Sequence, residues 1–314
     1  MAGVGVERLG MAGFRMLRDD RPEAYETIAL WPTAAAAGTT GDNMTRYAVA
    51  AAAVLACHAA ISISIRRFGW RKENFKGRKI PALFGLYIVA YGAAGAVLGR
   101  YAAAGSDPAA RLYLVAVLGF GSLGLGDDLF GSRNAGGFRG HFKKLLLERR
   151  LTSGAAKAIG GGLVSLYLGY RTSGGAGGLW VLDAALVALA ANTVNLLDVR
   201  PGRALFGFFV GLLLAMAAAW GRLSAPLPIA AVAASAAVVA YYDSAGKAML
   251  GDVGSNTLGA VLGLTLAIDA GILGKLIAVG VFAAINAYSE WHSISELIER
   301  HPMLARVDSK LGVR

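Results

Sequence analysis

Gly124-Leu125-Gly126-Asp127-Asp128-Leu129-Phe130-Gly131 closes a long apolar run and opens a strongly basic stretch. Two adjacent carboxylates therefore sit where a membrane helix would emerge into water. Two further polar islands, Asn192/Asn195/Asp198 and Gly251-Asp252-Val253-Gly254-Ser255, stand at similar boundaries. Apolar runs punctuated in this way are the pattern of a helical polytopic membrane protein.

Composition supports the same class. Of the 314 residues, 56% are hydrophobic and only 16% are charged, whereas a soluble domain carries about a quarter charged residues. About 20 consecutive apolar residues suffice for a membrane-crossing helix. The runs here are continuous and do not alternate, which argues against a β-barrel. The net charge of +11 does not imply nucleic acid, because the Lys and Arg residues flank apolar runs as the positive-inside rule expects. The single cysteine, Cys57, lies in an apolar run. It permits no intramolecular disulfide and reads as a small buried hydrophobe.

The expected fold is all-α with about nine transmembrane helices, N-terminus outside and C-terminus cytoplasmic. Residues 1–43 form a poorly structured tail or lie upstream of a natural start at Met44; 44–289 form a transmembrane catalytic domain; 290–314 form an amphipathic cytoplasmic segment. The spans begin near Met44, Pro81, Ala109, Ala158, Leu179, Ala204, Pro226, Gly251 and Ile272. The basic stretches 66–79 and 129–157 mark the cytoplasmic side. His141 to Leu151 reads as a short helix on the membrane surface. All three polar islands then fall on the cytoplasmic face.

Asp127 and Asp128 point about 100° apart on a helix. One suits a metal or metal-bound water while the other binds a cation or takes a proton; the alternative is a solvated pair ending a helix. Asn192, Asn195 and Asp198 form a drifting stripe. Amides in such helices often serve as interhelical glue, but an Asp at the membrane edge suits a metal or ligand site. The small residues of Gly251 to Ser255 let backbone N–H groups approach an anion, and Asp252 adds a hard oxygen ligand suited to magnesium. An ordinary helix start with Asp or Ser as N-cap is the plainer reading. Arg139, Lys143, Lys157, Arg200, Arg203 and Lys247 suit phosphates, lipid headgroups or topology alone. The histidines have no metal-ligand spacing.

Gly126-Asp127-Asp128, Lys157, Asn192-Thr193-Val194-Asn195-Leu196-Leu197-Asp198 and Met249-Leu250-Gly251-Asp252-Val253-Gly254-Ser255 resemble, in order, the signature blocks of the polyprenyl-phosphate N-acetylhexosamine-1-phosphate transferases. Ile80-Pro81-Ala82-Leu83-Phe84-Gly85 is similar to that family's Ile-Pro-Thr-Leu-Gly-Gly block. The resemblance runs from about Lys76 to Ser255. It implies transfer of a sugar-1-phosphate from a UDP-sugar to a polyprenyl phosphate, with release of UMP, in a multi-pass inner (plasma) membrane protein serving envelope glycan synthesis. It implies magnesium, with manganese as an alternative, held by Asn195 and Asp252. It implies catalytic roles for Asp127, Asp128, Lys157 and Asp252. Substrate contacts are expected at Asn192, Asn195, Asp198, Arg139, Lys143, Arg200, Gly254, Ser255 and His301.

The resemblance has departures. Many bacterial members carry Asp-Gly-x-Asp-Gly where this chain has Asp198-Val199-Arg200-Pro201-Gly202, so Pro201 replaces the second Asp. The family's histidine-rich block is absent, and Glu290 to Glu296 with Arg300-His301 stands there instead. These changes keep open a catalytically silent relative that binds lipid phosphate or scaffolds envelope assembly. A transporter would need an internal repeat or broken helices, and neither is evident. Family members are often homodimers, and the abundant Gly and Ala permit close packing between chains as readily as within one.

Overall fold

A computed structural model describes residues 70–74, 76–102, 107–131, 153–175 and 177–312, with part of 52–67. The expectations made for residues 1–43, Cys57, Arg139, Lys143 and the surface helix 141–151 lie outside the described residues. Those described in 52–67 are helical apart from the residues left out.

Two short strands, β1 (Arg71–Glu73) and β2 (Lys79–Pro81), pair antiparallel with Lys72 opposite Ile80. The hairpin stands where the charge pattern alone implies a plain basic loop. Asn74 makes the turn: its side-chain oxygen accepts from the backbone N–H groups of Lys76 and Arg78, as Asx turns do.

The helices follow as α1 (Gly85–Ala102), α2 (Pro108–Phe130), α3 (Ser153–Ser173), α4 (Leu179–Leu197), α5 (Arg203–Ala218), α6 (Pro226–Ser244), α7 (Gly251–Asp269), α8 (Ile272–Ser289), α9 (Ile294–Arg300) and α10 (Pro302–Leu311). The fold is thus all-α apart from the hairpin. Among the described residues, α2, α4, α6 and α8 are long and apolar enough to cross a membrane. At 16 residues, α5 is apolar but shorter. Of the other expected spans, α1, α3 and α7 do not meet that standard, and the one beginning near Met44 lies largely outside the described residues.

The reason is clearest in α7. It packs chiefly against α4 and α2, then against α5 and α1, and Val253 through Ala267 are buried without a break. A helix enclosed by protein need not be apolar towards lipid. Ser255, Asn256, Thr257 and Thr265 are tolerated because each finds a partner. Thr265 Oγ1, for example, donates to the Val261 carbonyl and lies 2.9 Å from the buried Tyr113 hydroxyl. Small residues let the backbones close in: a Cβ on Gly263 would stand 2.5 Å from the Leu186 carbonyl oxygen of α4.

At the end of the bundle remote from the three islands, Asp183 is fully buried. It accepts from Lys275 Nζ of α8 at 2.7 Å and from Ser173 Oγ of α3 at 2.8 Å. This is a paired intramembrane charge of the kind buried helices require.

Gly263→Leu should destabilise the protein by about 1–3 kcal/mol or more through overpacking. Gly280 of α8, with nothing within 4 Å of a Cβ position, should accept the same change within about 0.5 kcal/mol. Thermal unfolding in detergent compares the two; equal shifts would show that α7 is not close-packed on α4.

Candidate active site

The last turn of α2, the first turn of α3 and the first turn of α7 meet at one point. Lys157 Nζ lies 2.9 Å from Asp127 Oδ2 and also pairs with Asp252 Oδ2. Residues from three separate stretches of sequence thus share one ammonium group. Asp128, diverging from Asp127 as helix geometry requires, takes different partners. Its Oδ1 accepts from Lys72 Nζ of β1 at 3.0 Å, and its Oδ2 accepts from the Val253 N–H at 3.0 Å.

That second bond caps α7. The first N–H groups of a helix have no partner within it, and no local side chain caps this one. Asp128 supplies the acceptor from another helix. The expectation that this N-terminus is free for a substrate anion is narrowed accordingly, since one of its N–H groups is already engaged. Gly251 has φ +73°, and a Cβ there would stand 2.7 Å from Asp128 Oδ2. Glycine is needed both for the left-handed turn and for the approach of the carboxylate.

The other expected residues divide into two groups. Asn195 joins the cluster: its Oδ1 accepts from Ser255 Oγ at 2.8 Å and from Asn256 Nδ2 at 3.4 Å. Asp198, Arg200, Pro201 and Gly251 line an adjoining cavity of about 690 Å³ with Glu73, Asn74 and Asp243 among its other walls. Asn192, Gly254, Ser255 and His301 are not brought to that cavity. Asn192 donates to Asn286 Oδ1 of α8, which is the interhelical-glue role. Gly254 packs on Gly85, with a Cβ at 2.8 Å from the Gly85 Cα. Ser255 is completely buried. His301 is exposed at the junction of α9 and α10. Arg203, a candidate phosphate ligand by sequence, is consumed by Asp308 and Ser295.

Two residues emerge that sequence reading missed. Lys72 was one of seven basic residues in a loop, with nothing to distinguish it. Asp243 had no neighbours of functional type. It is 5% exposed and accepts from the Gly202 N–H at 2.6 Å and the Leu250 N–H at 3.1 Å. It therefore ties the turn between α4 and α5 to the turn that leads into α7. Backbone bonds extend the tie to the other wall: Phe84 N–H donates to Met249 O, and Gly85 N–H to Leu250 O. Leu83, between these walls, is buried with φ +65°, a conformation kept only where surroundings over-determine it.

The residues fit a hard divalent cation by donor chemistry. Asp127 and Asp252 converge on a point already held by an ammonium ion, and the Asn195 amide oxygen lies at the same end of α7. No group of three Asp, Glu, His or Cys side chains is arranged to hold a metal among the described residues. Magnesium sites completed by substrate phosphates need only one or two carboxylates.

Compared with known family models and with curated proteins, the chain matches none.

Asp198 sits at the C-terminal end of α4, outside the helix. Burial first, then the carboxylates of Asp243, Asp252 and Asp128, hold its carboxyl well above the ordinary range. It keeps partial exposure on the cavity side. A carboxyl raised on folding stabilises the protein below its unfolded value, and that contribution is lost as pH rises through the folded value. Asp198→Asn should therefore raise the Tm near neutral pH in EDTA, with the gain shrinking towards acid pH. A lowered Tm at neutral pH would show that an unaccounted cation holds the carboxylate.

Proposed function

We propose that the chain transfers a sugar-1-phosphate from a UDP-sugar to a polyprenyl phosphate at the cytoplasmic face of the plasma membrane. UMP is released and a polyprenyl-diphospho-sugar remains in the bilayer. The reading keeps nine spans, with the N-terminus outside and the C-terminus cytoplasmic. The observation that supports it most is the convergence of Asp127, Lys157 and Asp252 from three helices, beside a cavity walled by Asp198 and Arg200.

In this reading an oxygen of the lipid phosphate attacks the β-phosphorus of the donor. A new P–O bond forms, the bond from that phosphorus to the bridging oxygen breaks, and the oxygen leaves with UMP. Phosphoryl-type displacement depends mostly on positioning and charge neutralisation. Lys157 and Lys72 supply cations. Asp127 and Asp128 orient those lysines and accept a proton from a lipid phosphate that arrives protonated. Asp252 and Asn195 would hold magnesium, or manganese, which supplies further neutralisation of the diphosphate when bound. The apolar helices keep the lipid chain in the membrane while its headgroup reaches the α2–α7 junction.

Three carboxylates, Asp127, Asp128 and Asp252, pair with only two lysines at this junction. An anionic substrate would meet net repulsion there without an added cation, so the reading requires metal-dependent turnover.

Purified protein with undecaprenyl phosphate, magnesium and a panel of UDP-sugars should release UMP. Asp252→Asn and the Asp127→Asn/Asp128→Asn double variant should each lower the rate by about 100-fold or more while remaining folded by thermal melt. Full activity in Asp252→Asn would remove the metal assignment. Binding of donor or lipid without UMP release would favour a silent lipid-phosphate binder instead.

A further inference from the structure

The two C-terminal helices are attached to the bundle in an unusual way. In α10 the only buried residue is Asp308, while Met303, Leu304 and Val307 are all exposed. Burial of the large apolar side chains therefore does not seat this helix; a carboxylate does. Asp308 Oδ2 accepts from Arg203 Nη2 at 2.8 Å, and its Oδ1 accepts from Arg203 Nε. The pairing is the two-pronged arrangement in which a guanidinium fixes direction as well as distance. Arg203 is 3% exposed. Its remaining arm donates to Ser295 Oγ of α9 at 2.8 Å. One guanidinium thus holds both terminal helices.

What it holds them against is the cavity wall. Arg203 is the first residue of α5 and directly follows Asp198-Val199-Arg200-Pro201-Gly202, four of which line the cavity. The contact is close enough to shape that wall. A Cβ on Gly202 would stand 2.7 Å from Ser244 Oγ and collide with the Leu311 carbonyl oxygen; one on Gly312 would stand 2.5 Å from the Pro201 carbonyl oxygen. Gly202 has φ +81°, and its N–H is held by Asp243. Arg200 pairs with Glu299 of α9 at 2.5 Å and stands 4.0 Å from Asp308. The turn is thus gripped from one side by Asp243 and from the other by α9 and α10.

We propose that Asp308 is a positioning residue for this site: through Arg203 it fixes the 198–202 turn, and with it the Asp198 and Arg200 side chains that meet the donor substrate in the cavity. The role of the cavity as the donor site rests on the transferase reading; the clasp itself does not. Asp308 touches no substrate. Losing it should loosen one wall of the cavity and leave the Asp127–Lys157–Asp252 cluster in place.

The test uses the full-length protein and two readouts. Asp308→Asn keeps the shape and removes the charge. The pair Arg203→Gln/Asp308→Asn also leaves no buried charge unpaired, so it separates loss of the clasp from the instability that a lone buried charge brings. In both, KM for the UDP-sugar should rise about tenfold with kcat within about threefold of the parent, the sign of lost binding rather than lost chemistry. Backbone amide exchange at Gly202 and Arg203 should speed up about tenfold or more, while the amides of the α7 interior stay protected. Asp308→Glu, which retains a carboxylate, should restore most of both.

Unchanged exchange at the turn in the neutral pair would overturn the clasp. Uniformly faster exchange across α7 would reduce it to general stability. A fall in kcat with constant KM would overturn the link to the donor site. If the parent protein releases no UMP from any donor, the transferase reading falls while amide exchange still decides whether Asp308 positions the turn.

Discussion

The arrangement of the end that carries the Asp127–Lys157–Asp252 cluster depends on how the buried start of α7 is satisfied. A helix that begins inside a bundle has unpaired N–H groups and the positive end of its dipole in a poorly solvated place. Helix α2 has the opposite difficulty, with two carboxylates in its last turns where negative charge opposes its own dipole. Placing the end of α2 against the start of α7 resolves both. Asp128 accepts from the Val253 N–H, while Lys72 and Lys157 offset the remaining negative charge. The glycines follow from this contact. Gly251 turns left-handed beside Asp128, and a Cβ on Gly124 would stand 2.6 Å from the Val253 Cα.

The carboxylates at this end have distinct tasks, and their partners distinguish them. Asp243 gives both oxygens to backbone N–H groups, so it organises chain and has little capacity left for a ligand. Asp128 divides its oxygens between a backbone cap and Lys72. Asp127 and Asp252 meet a side chain that can move, the Lys157 ammonium. Asp198 faces other carboxylates. In the transferase reading the chemistry therefore concentrates at Asp127, Asp128, Lys157 and Asp252, while Asp243 maintains the geometry around them.

The sequence made part of this legible, for physical reasons. Carboxylates and amides at the ends of apolar runs are costly unless partnered, so Asp127, Asp128, Asn195, Asp198 and Asp252 stood out, and the structure brings all five to one end of the bundle. Asn192 shared that signal but turns to Asn286 of α8, because neighbours around a helix are set by packing and not by spacing along it. Lys72 was hidden because topology alone explains a run of basic residues. The hairpin that presents it depends on an Asx turn at Asn74, which the charge pattern obscured. The span count was legible only in part. Apolarity measures exposure to lipid, and α7 is surrounded by protein, so its polar residues make it less apolar without moving it from the centre.

Pro201 gains meaning from this setting. Many bacterial members of the resembling family carry an aspartate there, and Pro201 in its place puts the nucleotide or sugar contact in doubt from sequence alone. In the structure Pro201 stands on the cavity wall, directly before the left-handed Gly202. Proline restricts its own φ and the conformation of the residue before it, here Arg200. Gly202 allows the reversal that follows, and Asp243 holds its N–H. Burial and three nearby carboxylates, those of Asp243, Asp252 and Asp128, already push the Asp198 carboxyl up. Another aspartate at 201 would add to that repulsion. Proline adds no charge and stiffens the turn, which makes a more rigid wall than an aspartate at 201 would.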